Sequence, residues 1–179
     1  MNLRIISGRF GGRVIQAPDG QLTHPMGERI RGSLFNIISS ELENAEVLDV
    51  FAGSGSIGLE ALSRGAKSAT FIERDRVASK ILAENINALG VKSITTAVQV
   101  GARTWIDKHL DKSYDIIFAD PPYNELQLST VAGLVSLLKP NGLMVLSYPG
   151  RGELPTVQGV VVVDNRSYGT AALTFYRKK

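Results

Sequence analysis

Cysteine is absent from this chain, and histidine occurs only twice, at His24 and His109. Disulfides, thiolate zinc centres and cysteine nucleophiles are thereby excluded. Neither histidine has another histidine or a carboxylate at ligand spacing, so no metal site is expected. Long apolar runs are also missing. None approaches the roughly 20 residues that a membrane helix requires, so no membrane partner is expected. The opening MNLRIISGRFGG has neither an apolar signal core nor a small-residue cleavage site, which makes the cytoplasm the expected compartment. No internal repeat, low-complexity tract or linker is visible.

Overall charge excess is small: 20 basic residues face 17 acidic ones. Its placement is uneven. Within the first 32 residues, Arg4, Arg9, Arg13, Arg29 and Arg31 stand against Asp19 and Glu28, and the rest of the chain balances at fifteen of each sign. Arginine suits bidentate phosphate contacts and stacking on bases. The excess therefore reads either as an electrostatic footprint for nucleic acid or as a solvated basic hairpin. With 179 residues, 44% of them hydrophobic and 21% charged, the chain suits one globular domain rather than two.

Residues 3–17 read as two short strands around Gly8 and Gly11-Gly12, a hairpin-like appendage. Pro18-Asp19-Gly20 is a turn signal and Thr23-His24-Pro25-Met26 a loop. A helix over residues 28–42 carries Ile30, Leu34, Ile37, Ile38 and Leu42 on one face. From Val47 strands and helices alternate: strand 47–51, helix 56–63, strand 69–73, a helix capped by Asp75 and stopped by Gly90, strand 94–100, helix 103–110, strand 114–120, and a helix over 125–138. Pro140-Asn141-Gly142 turns into a strand at LMVLS. Such alternation implies a parallel sheet covered on both faces. Strands 157–163 and 171–176 have no helix between them, so that pair is expected to be antiparallel. The domain reading is a single unit over 1–179, with an extension over 1–43 and a core over 44–179. Trp105 reads as packing, and Arg177-Lys178-Lys179 as a solvated tail.

Three strand ends carry the chemistry: DVFAGSGSIG, FIERD and FADPPY. In an open α/β sheet, ligands bind beyond the carboxyl ends of the strands at the switch point. Gly53-Ser54-Gly55-Ser56-Ile57-Gly58 fits G-x-G-x-x-G, a pattern shared with dinucleotide sites. Asp49, inside the strand before it, distinguishes the case. A carboxylate repels a pyrophosphate and attracts an ammonium group, and S-adenosylmethionine has an ammonium, a sulfonium and no phosphate. Glu73 ends the next strand where ribose hydroxyls need an acceptor. Pro121 and Pro122 lack N–H groups and have fixed φ, so Asp120-Pro121-Pro122-Tyr123 forms a stiff, acceptor-rich corner beside an aromatic ring. Two hydrogen bonds, to the Asp120 carboxylate and the Pro121 carbonyl, would orient an exocyclic base amine for methyl transfer. Tyr123 would stack on the base, which must be unpaired or flipped out to reach it.

The chain resembles the RsmD family, bacterial methyltransferases of the Rossmann-like class I fold that act on guanine N2 of small-subunit (16S) ribosomal RNA. The resemblance rests on RIISGRFGGR, THPMGERIRGSLFNII, LDVFAGSGSIGLEALSRGA, FIERDRVASKILAEN, IIFADPPY and YGTAALTFYR, in that order. It implies a mostly parallel seven-stranded sheet with an antiparallel last strand, plus a small N-terminal hairpin and helix. The implied cofactor set is Asp49, Phe51, Ala52, Gly53, Gly55, Glu73, Arg74 and Asp120. The implied catalytic set is Asp120, Pro121 and Tyr123. Arg4, Arg9, Arg13, Arg29, Arg31, Phe35 and Asn36 are expected to face the RNA. The implied partner is ribosomal RNA within a 30S particle or assembly intermediate, and the protein is expected to be a monomer. Two positions depart from the family. Val100-Gly101-Ala102 replaces an acidic residue near the adenine, so no side chain is given that role. His24 stands where many relatives have the arginine of an Arg-Pro-Thr run. The roles of Arg166 and Tyr168 stay open.

Other readings remain. The same corner serves a DNA or RNA methylase of adenine N6 or cytosine N4. A dinucleotide-dependent oxidoreductase shares the glycine pattern, but Asp49 and the Asp-Pro-Pro-Tyr corner count against it. A non-catalytic RNA-binding assembly factor is a further reading, and the intact set of strand-end residues counts against it.

Overall fold

A computed structural model describes residues 1–19, 26–150 and 154–179. The loop expected around Thr23, His24 and Pro25 lies outside the described residues, as does Gly20 of the preceding turn signal. Seven strands form one sheet: β3 (Glu46–Val50), β4 (Ser68–Glu73), β5 (Thr95–Gln99), β6 (Tyr114–Ala119), β7 (Leu138–Pro149), β8 (Val160–Ser167) and β9 (Ala171–Lys178). Their order is β5-β4-β3-β6-β7-β9-β8. The first five run parallel, and β9 lies antiparallel to both β7 and β8. β1 (Asn2–Arg4) and β2 (Val14–Gln16) form a separate antiparallel pair. The helices are α1 (Glu28–Ile37), α2 (Ser56–Ser63), α3 (Arg76–Leu89), α4 (Ala102–Lys108) and α5 (Leu128–Gly133). Among the described residues no helix is long and apolar enough to cross a membrane.

Strand alternation explains both layers. Val47, Ile116, Phe118, Val145 and Phe175 face a layer made by α1, α2, α3 and the hairpin residues Ile5, Phe10 and Ile15. Leu48, Val50, Ile117, Met144 and Leu146 face the other layer, with Trp105 and Ile106 of α4 and Val131 of α5. Central strands buried on both sides have no polar face, which is why they read as unbroken apolar runs. Trp105 is itself core and stacks on His109 at 4.5 Å between centroids. α3 begins at Asp75, whose side chain accepts the Ala78 N–H at 2.8 Å, and ends at Gly90 with φ 68°.

Several boundaries differ from expectation. The first long helix stops at Ile37 and continues only as a 3-10 turn at Ser39–Glu41. The helix expected over 125–138 is short: α5, then a 3-10 turn at Leu134–Leu137. Gln127 sits at φ 51° before it, and Thr130, Val131 and Gly133 are weak helix formers. β8 runs from Val160 to Ser167, later and longer than expected, which shortens the turn to residues 168–170. The carboxyl-terminal basic residues are not a free tail. Arg177 forks onto Glu41 at 2.6 and 2.9 Å, and Lys178 donates to the Leu138 carbonyl. They remain in register because β9 continues to Lys178.

The hairpin and α1 attach to the core through one carboxylate. Glu60, in α2, accepts the Ile6 N–H at 2.9 Å, the Ser7 N–H at 3.1 Å and Arg64 Nε at 2.9 Å. Arg31 Nε lies 3.5 Å away, and both side chains are 0% exposed. Arg31 also donates to the Arg4 carbonyl. This corrects its expected role at the RNA surface, because its guanidinium is used inside the fold. Phe35 is likewise 0% exposed and packs on Phe118 at 5.6 Å, so its ring faces the core and not RNA.

Removing the Glu60 carboxylate leaves Arg31 charged and buried without its partner. Glu60→Ala is expected to cost about 3–5 kcal/mol in urea unfolding. A loss below about 1 kcal/mol would show that the carboxylate does not hold the extension in place.

Candidate active site

Register brings the three strand ends level. Val50 pairs with Ile72 on one side and with Ala119 on the other. Neighbouring strands lie about 4.8 Å apart, so Phe51, Glu73 and Asp120 emerge side by side. The sheet order also reverses at this point, since β4 and β5 lie to one side of β3 and β6 and β7 to the other. The crevice of a doubly wound sheet opens there.

Phe51 leaves β3 with φ 62°, a left-handed conformation that costs a non-glycine residue about 1 kcal/mol or more and clusters at functional sites. Glu73 braces the loop that follows. Its Oε2 accepts the Gly53 N–H at 2.7 Å and its Oε1 the Asp75 N–H at 2.9 Å. The three glycines of the fingerprint differ in purpose. A Cβ on Gly55 would lie 2.4 Å from Leu82 Cδ1, and one on Gly58 would lie 2.3 Å from Phe71 Cε1. Packing against the core requires both. A Cβ on Gly53 would meet nothing within 4 Å, so the space on that side of its backbone is open.

Asp49 is 1% exposed. Its Oδ2 accepts the Gly58 N–H at 2.9 Å, while its buried Oδ1 finds no partner among the described residues. Burial pushes its carboxyl well above the usual range, and the charges of Asp120 and Glu73 add to this, against the pull of the Gly58 N–H. A buried carboxylate oxygen left unpaired is costly, and a cationic group is its natural complement. Burial also raises Asp120, to about 6, with the Ser147 hydroxyl pulling the other way. Pro121 is buried and Tyr123 is exposed at the rim, its phenol oxygen 2.7 Å from Ser147 Oγ.

Beneath this corner lies a narrow slot, too tight to admit a water molecule, lined by Met26, Leu34, Ile57, Phe118, Ala119, Asp120, Val145 and Ser147. Its walls are apolar apart from Asp120 and Ser147. The sequence reading missed Met26, Ile57 and Ser147. Ser147 could have been found, since LMVLS puts it at the carboxyl end of the strand beside β6. Met26 and Ile57 carry no local signal.

The other expected residues scatter. Ala52 is buried in the loop, where its N–H donates to the Ile72 carbonyl at 2.9 Å. Arg74 is exposed and pairs with Glu125 at 3.1 Å, so it reaches past the end of β3 to the loop after β6. Arg29 is exposed at the start of α1, its guanidinium 6.0 Å from the Tyr168 ring, and Tyr168 hydrogen-bonds Ser33. Arg4, Arg9, Arg13 and Asn36 are also exposed. Arg9 donates its N–H to the Ser63 carbonyl and Arg13 its guanidinium to the Ala88 carbonyl. These are the far ends of α2 and α3, and eight helical residues span about 12 Å. The hairpin arginines thus lie at the opposite end of the helical layer from Asp120. Arg166 forks onto Asp164 at 3.1 Å. Among the described residues, no group of three His, Cys, Asp or Glu could hold a metal ion.

The sheet order, the glycine loop after β3 and the acidic ends of β3, β4 and β6 define a class I methyltransferase fold. A family model described as conserved hypothetical protein 95 matches residues 3–177. Ribosomal RNA small subunit methyltransferase D of Escherichia coli strain K12 is 37% identical over 161 residues, covering 87% of this chain and 79% of that one. The protein of the same name from Haemophilus influenzae is 30% identical over 182 residues, covering 98% and 93%. The solved structure of Escherichia coli YhhF superposes with a TM-score of 0.88 at 33% identity, covering 100% of this chain and 99% of that one. The chain belongs to the RsmD family of methyltransferases.

Both shifted carboxylates bear on stability. A carboxyl whose folded pKa is raised binds protons more tightly when folded, so ligand-free stability falls as pH rises through the shifted window. For Asp120 that window runs from the ordinary 3.8 to about 6, and Asp49 acts in the same direction. Urea unfolding across this range is expected to show falling stability, and Asp120→Asn should flatten the fall. A wild-type curve that rises through the window with the same slope as the variant's would contradict the assignment.

Proposed function

We infer that this protein methylates the exocyclic N2 amine of a guanine in small-subunit ribosomal RNA, using S-adenosylmethionine. The observation that carries the reading is the pairing of two unlike acidic positions at adjoining strand ends. Asp49 is sealed, with one unpartnered oxygen, and Asp120 borders a slot. The unpartnered oxygen suits the ammonium of the donor, the open backbone at Gly53 allows close approach, and Glu73 suits a ribose hydroxyl. Phe51, Ala52, Gly55 and Arg74 complete the proposed surround. When bound, S-adenosylmethionine supplies an electrophilic methyl group.

The chain's own residues prepare the acceptor. The lone pair of a base amine is delocalised into the ring, so the amine must be turned before it can attack. The Asp120 carboxylate and the Pro121 carbonyl each accept one N–H, fixing the amine's orientation, and orientation of this kind is a large part of a transfer barrier. Asp120 is also placed to take the proton that the methylated nitrogen releases. Tyr123 flanks the base. An ionised carboxylate only accepts hydrogen bonds. The guanine edge offers N1–H and N2–H side by side, whereas adenine and cytosine place a ring acceptor next to their amine. That favours guanine over the amino-methylase alternatives.

Arg29 and Tyr168 at the rim, with Arg4, Arg9, Arg13 and Asn36 farther along the molecule, are proposed to meet the RNA backbone. A footprint this long suits a folded RNA or 30S particle rather than a free nucleotide. The relatives named above are methyltransferases of small-subunit ribosomal RNA, in keeping with this substrate, and we place the reaction in the cytoplasm with the protein as a monomer.

The test is transfer of labelled methyl to 30S particles, naked ribosomal RNA and DNA, followed by nucleoside mass spectrometry. Label in N2-methylguanosine from ribosomal RNA is expected, with at least about 100-fold loss for Asp120→Ala. Label in adenine or cytosine would replace guanine as the substrate. Full function of Asp120→Ala in ribosome assembly, without transfer, would point to a non-catalytic assembly factor.

A further inference from the structure

Tyr123 follows two prolines on a loop and remains 42% exposed. A ring so placed needs a rigid partner if it is to flank a base in one orientation. That partner lies on β7. Ser147 is 3% exposed, shares the slot with Asp120, and has its Oγ 2.7 Å from the Tyr123 phenol oxygen. We propose that Ser147 is a positioning residue for the transfer, its single hydroxyl ordering both Tyr123 and Asp120 around the target amine. The role rests on the amine-methylation reading above.

The direction of the hydrogen bonds follows from proton counting. A hydroxyl donates once and accepts through two lone pairs. Asp120 directly follows Ala119, which pairs with Leu146, so it lies beside Ser147. An ionised Asp120 only accepts. In the proposed arrangement Ser147 therefore turns its proton towards the carboxylate and takes the Tyr123 proton on its oxygen. The charge on Asp120 thereby sets the orientation of the tyrosine. Ser147 sits in the central, doubly buried part of the sheet, where its backbone is held by pairing with Leu173. Both side chains are thus referred to one fixed oxygen.

The surroundings make this hydroxyl distinctive. Asp49 faces Asp120 from β3, with Glu73 beyond it on β4 and the Tyr123 phenol on the same loop. α1 and α2 bring only Leu34 and Ile57 to the slot. Burial disfavours a charged Asp120, and the Ser147 hydroxyl opposes it. Its removal should therefore disturb protonation as well as geometry.

The experiment uses the full chain with Ser147→Ala, Ser147→Thr and Tyr123→Phe. Two quantities are read: the Asp120 carboxyl-carbon NMR titration without ligands, assigned with Asp120→Asn, and the pH dependence of kcat for methyl transfer. Ser147→Ala should move the Asp120 midpoint above its starting value of about 6. The acid limb of kcat should follow, with kcat near neutrality down about 10- to 100-fold and the donor KM little changed. Ser147→Thr should restore both readings. Tyr123→Phe should lower kcat without raising the midpoint. If Ser147→Ala does not fold, Ser147→Cys, a near isostere with a weak donor, should shift the midpoint in the same direction. An unmoved midpoint in the alanine or cysteine variant would overturn the proposal, as would a threonine variant no better than alanine. A shifted midpoint in a protein whose wild type methylates no RNA would count against the substrate and leave the Ser147 link to Asp120 standing.

Discussion

The buried carboxylate of Glu60 is the contact on which the arrangement of the site depends. A charge removed from water must be met by charge and hydrogen bonds or it is strongly unfavourable. Glu60 meets that demand with two backbone N–H groups from the hairpin, the arginine that follows its own helix and one arginine from α1. Three segments distant in sequence are thereby drawn to one point. α1 then lies where Phe35 packs on Phe118, and the chain leading into α1 brings Met26 to the slot that Asp120 also lines. The slot thus has walls from the extension as well as from the sheet. Buried ion pairs add little to stability over a well-packed apolar substitute. Their advantage here is directional, because an apolar substitute could not specify which N–H groups and which arginines come together.

Legibility in the sequence followed the range of the interaction. Helix α3 was readable at both ends, because Asp75 and Gly90 act within a turn of where they stand. The glycine loop and the Asp-Pro-Pro-Tyr corner were readable for the same reason, and their meeting was readable from the topology of parallel sheets. Arg31 was not. In sequence it is one arginine in a basic stretch, and its partner Glu60 lies on another helix. Nothing local distinguishes a buried guanidinium from a solvated one. Phe35 failed likewise, since an aromatic ring on an amphipathic helix suits either core or base. The short α5 shows a different limit: Gln127, at φ 51°, breaks the helical path of the backbone just before the helix begins, and its residue type does not announce that.

The two signs of charge are kept apart in this fold, and the separation bears on substrate selection. Asp49, Glu73 and Asp120 gather at adjoining strand ends, and Arg74, the nearby cation on the β4 loop, is turned to Glu125. Arg4, Arg9, Arg13 and Arg29 are exposed on the extension. A phosphate is therefore attracted to the extension and repelled from the crevice, while an uncharged base meets no such barrier. RNA that met the exposed arginines of the extension, as proposed above, would reach the crevice only by presenting a base with its backbone kept outside, as in enzymes that flip out the nucleotide they modify. The same acidity that raises the carboxyls of Asp49 and Asp120 thus favours a cationic donor and a neutral acceptor, the two reactants of the proposed transfer.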